Sequence, residues 1–522
     1  MANPGVFISS RGRHVPAADA VNEAGGAAYA LPPAHALAQY AVTGCFNRSY
    51  YADAGSQLDR VLDLVRQVPA EFVAKAAIYA RERGYMKDMP AFLVAAITSI
   101  DGALAEKVFP RVIDNGKMLR NFVQIVRSGV TGRKSLGTRP RRMVRRWLEG
   151  RSDNQIFCTS VGQTPSLADV IKMVHPRPST ESRRALYGYM IGRDHDVEKL
   201  PVLVCQFEAF KAGRGEPPDV PFEMLTALDL TTVQWTAIAR RAGWHWLRMN
   251  LNTMHRHGVF GVEGMEQFVT TRLRDRSAET ARVYPYQIMA AYKNACDSVP
   301  ASVRNALQDA MEIAVENVPA IEGKVYVFPD VSGSMQSAIT GDRKGSTSKV
   351  RCVDVAAIVA AAIVRKNPDA EVIPFEQDVV DVRLNPRDSI MTNAEKLAAV
   401  GGGGTNCAVP LELLNRRESK GDLCIYISDL ESWIDSPSGY GATWGHDGVG
   451  TARAWAAFTQ RNPGARAVLI NLQAYETTQA PDRADVLNIG GWSDTCFDLI
   501  SLFTQGKLST GHWAGEIEKI EL

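Results

Sequence analysis

Two hydrophobic rhythms that meet near residue 320 constrain this chain more than any other feature of its sequence. Ahead of that point apolar residues recur at helical spacing. Leu58, Val61, Leu62 and Val65 form one stripe, Phe72, Ala76 and Tyr79 open another, and Phe92 to Ile100 and Phe122 to Val126 continue the series. Gly84, Pro90, Gly102, Pro110, Gly116, Gly129 and Gly132 cut the stripes into short lengths. Short helices with tight turns and no intervening strands bury their apolar faces by stacking, which predicts helical hairpins of the solenoid kind up to about Val318. A connector bearing Pro and Gly, Val318 to Gly323, ends that region. Beyond it the pattern alternates. Val325 to Phe328, Asp369 to Phe375, Leu423 to Ser428 and Ala467 to Leu472 read as strands. Val350 to Val364, Ile390 to Val400, Ala452 to Gln460 and Phe497 to Phe503 read as helices between and after them. That alternation predicts an open, doubly wound parallel sheet with helices on both faces. The expected organisation is a flexible segment at 1–30, rich in Ala, Gly and Ser, a helical domain at 31–320 and an α/β domain at 321–522.

A length of 522 residues exceeds one ordinary hydrophobic core, in keeping with that division. With 59 Lys and Arg against 57 Asp and Glu, the net charge of +2 is too small for indiscriminate polyanion binding, so any nucleic-acid contact must come from a local patch. The eight cysteines are scattered singly and suit a reducing compartment. Met1 to Pro16 has no apolar core of a signal peptide, and the most apolar run, Val353 to Val364, contains Asp354 and falls short of the ~20 residues a membrane span needs. A cytoplasmic protein without membrane contact is expected.

The local patch is at Gly132 to Arg151. Pro140 fits the first turn of a helix and Gly150 lies just past its end. On that helix Arg141, Arg142, Arg145 and Arg146 share one arc, and Met143, Val144, Trp147 and Leu148 share the opposite one. Arg133, Lys134 and Arg139 precede it, and Glu149 is the only acid between Arg133 and Arg151. Guanidiniums without acids to pair with suit bidentate phosphate contact, so these residues are candidate RNA ligands. A second short helix between Pro165 and Pro176 is capped by Ser166 with Asp169, carries Lys172, and ends at His175, where the helix dipole favours a protonated imidazole. Farther on, Trp244 to Phe260 mixes aromatics with Arg248, amides, His255 and His257, and could stack single-stranded bases, while the more cautious reading makes Trp244 and Leu247 core. His255 and His257 lack further metal-ligand partners in sequence and read as a surface pair.

In the α/β half the first strand runs into Asp330-Val-Ser-Gly-Ser-Met335, so a carboxylate and two hydroxyls leave the strand at alternate positions. Open α/β sheets bind their ligands at such carboxyl ends. Gly401 to Gly404 precede Thr405, and the strand Leu423 to Ser428 delivers Asp429. Hard oxygen donors of this kind fit Mg²⁺ or Mn²⁺, with Ca²⁺ also in range, rather than a soft metal. The order and spacing of Asp330, Ser332, Ser334, Thr405 and Asp429 resemble the metal-ion-dependent adhesion site of von Willebrand factor A domains. By that resemblance Ser332, Ser334 and Thr405 touch the metal most directly, Asp330 and Asp429 act directly or through water, and a partner's acidic group completes the shell.

A helical-repeat half joined to such an α/β half is similar to the Ro autoantigen family, whose N-terminal region is the TROVE module. Ala80-Arg-Glu-Arg-Gly-Tyr-Met-Lys-Asp-Met-Pro90, Phe122 to Gly129, the basic helix, Val174-His-Pro-Arg177, Asp330 to Met335 and Gly403-Gly-Thr-Asn-Cys407 carry the likeness. The resemblance implies a ring of HEAT-like hairpins closed by the α/β domain. It also implies a basic outer surface for small Y-type RNAs, a central hole for single-stranded 3′ ends of misfolded RNA, and work alongside a 3′ exoribonuclease. His175 falls where vertebrate members use a histidine for Y RNA, whereas the preceding stretch, Asp153 to Gln163, read as a loop, lacks their lysines and arginines. Asn406 stands where an acidic residue is common.

The expected function is that of a non-enzymatic RNA-binding scaffold, monomeric within a ribonucleoprotein, with no role for DNA. One rival is a protein-adhesion module whose α/β half grips a partner's carboxylate. Another is a metal-dependent RNA hydrolase, disfavoured because no general base stands near the metal-binding sequence.

Overall fold

The computed structural model describes residues 15–44, 46–226, 228–276, 283–342, 348–434, 449–491, 495–508 and 512–522. The glycine-rich stretch Gly439 to Gly450 with His446, whose composition reads as a mobile loop, lies outside them save for residues 449 and 450, as does Cys45. The chain forms two compact units, one of residues 65–269 with short pieces at 298–300 and 520–522, the other of residues 1–64, 270–297 and 301–519. Those limits differ from the boundaries drawn near 30 and 320. The first and last helical stretches of the N-terminal half belong with the α/β domain.

The unit built on 65–269 is helical throughout its described length, as the breaker spacing requires. Ala70–Glu82, Asp88–Ile100, Gly102–Val112 and Gly116–Ser128 stack in turn, with Val73, Leu93, Val108 and Phe122 fully buried between them. Asp101 and Asn115 cap the two later helices through their side-chain oxygens. Thr138–Glu149 follows, and its apolar arc of Met143, Val144, Trp147 and Leu148 is buried. Asp153–Cys158, within the stretch read as a loop, is a helix closed by a Ser152–Gln155 capping box. Leu167–Val174 has its reciprocal Ser166–Asp169 cap and ends at His175, whose φ of 49° reverses the chain.

Among the described residues the α/β unit carries eight strands: β1 Ala20–Val21, β2 Ala27–Ala30, β3 Val325–Pro329, β4 Glu371–Val372, β5 Leu423–Ser428, β6 Arg466–Asn471, β7 Thr477–Thr478 and β8 Val486–Gly490. Five form a parallel sheet in the order β4-β3-β5-β6-β8. Alternation along the strands sends Tyr326, Phe328, Tyr426 and Leu469 to a face packed with Leu414, Trp455 and Phe458. Ile427 and Ile470 face Val359 and Ile500 on the other side. Both faces are thus covered by helices, which accounts for the uninterrupted apolar runs of β3 and β5. From β3 the chain crosses to β4 on one side and then returns to β5 on the other. The order therefore reverses beside β3, and an open sheet opens a crevice at the carboxyl ends of such strands.

The segment expected to be flexible is structured from residue 15 onward, and residues 1–14 lie outside the described ones. β1 and β2 pair as a hairpin and β2 continues onto β7. Asn22 Nδ2 donates to the Ser432 carbonyl at 2.6 Å, and Ala24 N–H donates to Glu431 Oε2 at 3.2 Å. A Cβ at Gly26 would stand 2.0 Å from the Ser432 carbonyl oxygen, so the small residues that read as disorder are what allow this backbone contact. The helices Pro33–Thr43, Val409–Arg416 and His512–Glu518 were likewise absent from the sequence pattern. No described helix is long and apolar enough to cross a membrane.

If this contact holds the N-terminal hairpin, Gly26→Ala lowers stability by about 1–3 kcal/mol, the range for overpacking. Gly464→Ala, where a Cβ meets nothing within 4 Å, stays within about 0.5 kcal/mol of the parent. Urea unfolding of the two variants decides the point. Equal midpoints would remove the claim.

Candidate functional site

The crevice at the end of β3 and β5 gathers all five residues singled out for a metal. Asp330, Ser332, Ser334, Thr405 and Asp429 are each at most 4% exposed. The turn after β3 is fixed by Ser332 N–H donating to Asp330 Oδ1 at 2.8 Å, and Ser428 Oγ donates to Asp330 Oδ2 at 2.5 Å from the last residue of β5. Ser332 and Ser334 hydroxyls are 3.3 Å apart, and Ser334 also bonds to the Asp429 carboxylate. Thr405 arrives on the glycine run, which is clasped to the turn by Gly402 N–H to the Val331 carbonyl and Gly333 N–H to the Gly403 carbonyl, both 2.9 Å. Gly401 has φ +84°, and a Cβ there would meet the Val331 carbonyl at 2.2 Å. This position in the run therefore requires glycine. Asn406 turns away to cap the following backbone, its Oδ1 accepting from Ala408 N–H at 3.1 Å.

Burial first, and then the charge of Asp429, push the Asp330 carboxyl well above the usual carboxylate range, and burial does the same to Asp429. Among the described residues no lysine or arginine is paired with either carboxylate. Two desolvated acids beside the Ser332 and Ser334 hydroxyls, with buried Thr405 brought to the same turn, form an oxygen-only donor set with excess negative charge. A hard divalent cation fits such a set, and a soft metal does not. Among the described residues no group of three or more His, Cys, Asp and Glu side chains has a metal-binding arrangement, so this mixed set is the one to consider.

Three neighbours escaped the sequence reading. Glu431 is fully buried with Oε1 unpartnered, and burial and then Asp429 hold its carboxyl far above the usual range. The Tyr51 phenol bonds to Ser334, and its ring meets Tyr475 edge-on at 6.0 Å. Glu431 follows Asp429 by two residues and could have been suspected from that spacing. The tyrosines come from distant segments and leave no local signal.

The basic helix departs from expectation. Its guanidiniums do not stand clear of acids, because Glu106 of the helix Gly102–Val112 reaches across to them. Arg142 pairs with Glu106 at 2.6 Å, Arg146 pairs with it as well, and Arg139 lies 3.9 Å away. The Arg142 hydrogen bond holds the Glu106 carboxyl below its usual range. Arg145 Nε donates to the Val174 carbonyl at 2.5 Å, which ties this helix to the one ending at His175, and Arg133 donates to the Thr98 carbonyl at 2.6 Å. Arg141, Lys134, Lys172 and His175 are exposed. One carboxylate against three arginines still leaves an excess of positive charge. Beside it a cleft of about 700 Å³ is lined by Arg127, Lys172, Gln124 and Asp169, and Arg127 was not among the expected ligands. Trp244 and Leu247 are core, as the cautious reading has them, Trp244 1% exposed with Arg248 lying over its ring at 5.4 Å. His257 stacks on Trp235 at 4.3 Å.

A covered five-stranded parallel sheet with this constellation at its switch point defines a von Willebrand factor A domain joined to a helical array. Residues 324–504 match the family model of the Ro60 vWA domain. The RNA-binding protein RO60 of Deinococcus radiodurans is 24% identical over 93% of this chain and 95% of its own length. The crystal structure of the Deinococcus radiodurans RO (RSR) protein superposes with a TM-score of 0.62 at 20% identity, over 91% of this chain and 100% of that one. The C-terminal domain is a Ro60-type von Willebrand factor A domain, and the likeness to the Ro family runs along nearly the whole chain.

The raised carboxyl of Asp330 has a sign. Its protonated form is favoured by the fold, so the stability it contributes is full below the ordinary value of 3.8 and is lost as pH rises toward neutrality. Protein held in EDTA is therefore expected to lose thermal stability between pH 4 and 7, and Asp330→Asn to flatten that decline. A parent and variant with the same pH profile would show that the acid is not strained.

Proposed function

We propose that this chain is an RNA-binding scaffold whose helical unit holds the RNA and whose von Willebrand factor A domain holds a divalent cation. Segregation of charge carries the reading. Residues 65–269 contain 30 Lys and Arg against 20 Asp and Glu, whereas the whole chain has 59 against 57. A net +10 concentrated in one unit, with the remainder acidic, is the distribution expected of a polyanion-binding part attached to a part with another task. Arg127, Lys134, Arg141, Lys172 and His175 present exposed cationic or polar groups there, as do Arg142 and Arg146, with half-buried Arg145 beside them on the helix that carries Arg141. Phosphate contacts of this kind bind shape more than sequence, which suits small structured RNAs of the Y type. The relative named as RNA-binding supports the same assignment. On this reading single-stranded 3′ ends of misfolded RNA and a 3′ exoribonuclease are the further partners, the setting is cytoplasmic, and the protein binds without cleaving.

At the other site Asp330, Ser332, Ser334, Thr405 and Asp429 would hold Mg²⁺ or a similar hard ion. Such an ion supplies an electrophilic point for an acidic group. The chain's own part is to keep two carboxylates dry beside the hydroxyl-bearing residues Ser332, Ser334 and Thr405.

Glu106 gives a discriminating test. It competes with phosphate for Arg142 and Arg146, so Glu106→Gln is expected to tighten binding of a small structured RNA a few-fold. Changing Arg141, Arg142, Arg145 and Arg146 together to Ala is expected to weaken it by about tenfold or more, with the slope of log affinity against log salt falling by about one for each phosphate no longer held. Gel-shift titrations at several salt concentrations read both. Weaker binding by Glu106→Gln, or a salt slope unchanged in the arginine variant, would count against this surface. Separately, Asp330→Ala is expected to abolish Mg²⁺ binding in calorimetry while leaving RNA affinity within about twofold. Parallel loss of both would tie the two sites together and contradict the division of labour.

A further inference from the structure

Against the metal constellation, within the same unit, lies a cleft of about 770 Å³ whose lining includes Gly333 of the metal turn, Arg48, Tyr50, Asp342, Lys349 and Arg351. Gly333 stands between Ser332 and Ser334, so the cleft opens on the backbone of the metal turn itself. Its charge is cationic. Arg48 and Lys349 are exposed on its walls. Arg351 is held in place by Asp354 at 2.8 Å and by Gln336, and Asp354 is held in turn by Lys293 at 2.5 Å. Two cations on one buried carboxylate leave a surplus positive charge at the cleft wall, and exposed Asp342 offsets only part of the total. Ser49, Ser337 and Ser348 line the same space; Ser49 and Ser337 already donate to the Ala52 and Ser334 carbonyls, and the Ser348 hydroxyl, which accepts from Val350 N–H, is left as a neutral donor beside the cations.

One wall is aromatic. Tyr50 is 55% exposed, and its ring is braced edge-on by Tyr51 at 4.7 Å. Tyr51 in turn bonds to Ser334 of the metal turn. The backbone carrying Arg48 is fixed to the domain, with Asp342 N–H donating to the Arg48 carbonyl at 2.8 Å and Asn47 Nδ2 donating to the Thr340 carbonyl at 2.8 Å. A fixed platform for a planar ring and two exposed cations with the Ser348 hydroxyl, beside a candidate cation site, form a set that suits one ligand chemistry. The cations take a phosphate, and the ring takes a base. A carboxylate would need only the metal, and would leave Tyr50 and the width of the cleft unused.

We propose that this cleft binds a nucleotide, its phosphate between Arg48 and Lys349 and its base against Tyr50. The proposal does not rest on RNA binding by the helical unit, which lies in another part of the chain. Its source is either a free mononucleotide or the phosphorylated end of an RNA.

Calorimetric titration of the full-length protein in Mg²⁺ with 5′-AMP, adenosine, inorganic phosphate and 5′-phosphorylated tetra-adenylate tests it. AMP is expected to bind at least tenfold more tightly than adenosine or phosphate. Arg48→Ala and Lys349→Ala should each weaken AMP at least fivefold, and Tyr50→Ala should bring AMP down to the level of phosphate. Tetra-adenylate binding more tightly than AMP assigns the site to RNA ends, and equal affinity assigns it to free nucleotide. The helical-unit variant with Arg141, Arg142, Arg145 and Arg146 changed to Ala should bind AMP as the parent does, so loss of RNA affinity there leaves this result untouched. AMP that binds no better than phosphate, or binding that survives loss of both Arg48 and Lys349 in variants whose melting temperature matches the parent, overturns the proposal. So would saturation by N-acetyl-aspartate with none by AMP, which assigns the cleft to an acidic peptide.

Discussion

Two aspartates buried at the ends of neighbouring parallel strands set the terms for the α/β half of this protein. Removing a carboxylate from water is costly, and placing a second one beside it raises the cost again. Here the fold meets part of that cost with local donors. The Ser332 amide and the Ser428 hydroxyl bond to Asp330, and Ser334 bonds to Asp429. The remainder is what makes the site receptive to a divalent ion. Much of the surrounding chain serves to hold that arrangement closed. The glycine run brings Thr405 to the turn because a side chain at Gly401 would collide with the Val331 carbonyl, and the N-terminal hairpin lies against Glu431 and Ser432 just behind Asp429.

The helical unit obeys a different constraint. Its positive charge exceeds what its own acids neutralise, and Glu106 shows how that excess is managed when no polyanion is bound. One carboxylate is shared among Arg139, Arg142 and Arg146. An exposed pair of this type is worth little in stability, so a phosphate can replace it at small cost. The arginines are thereby held to one carboxylate rather than free. Such pairing reduces the side-chain entropy lost when phosphate binds.

Local pattern made the metal constellation legible in the sequence. Asp330, Ser332 and Ser334 are set by one turn, and Thr405 and Asp429 each follow a recognisable glycine run or strand. The parallel sheet was legible for the same reason, since β3, β5 and β6 are apolar runs of ordinary length. What failed depended on contacts between distant residues. Glu106 lies 36 positions before Arg142, and nothing in the basic run announces it. The hairpin at 20–30 is made of small residues because it presses on another backbone, and in a sequence that composition reads as disorder. β8 was missed because Asn488 interrupts its apolar run, although the amide is satisfied by Asp482 and the Ala480 carbonyl.

The account stands or falls on where RNA touches the chain. Ultraviolet cross-linking of a small structured RNA to the full-length protein, followed by mass spectrometry of the linked peptides, locates that contact without relying on any substitution. Adducts are predicted within residues 65–269, foremost on the peptides carrying Arg141 and Lys172. Adducts confined to residues 324–504, with none in the helical unit, would contradict it.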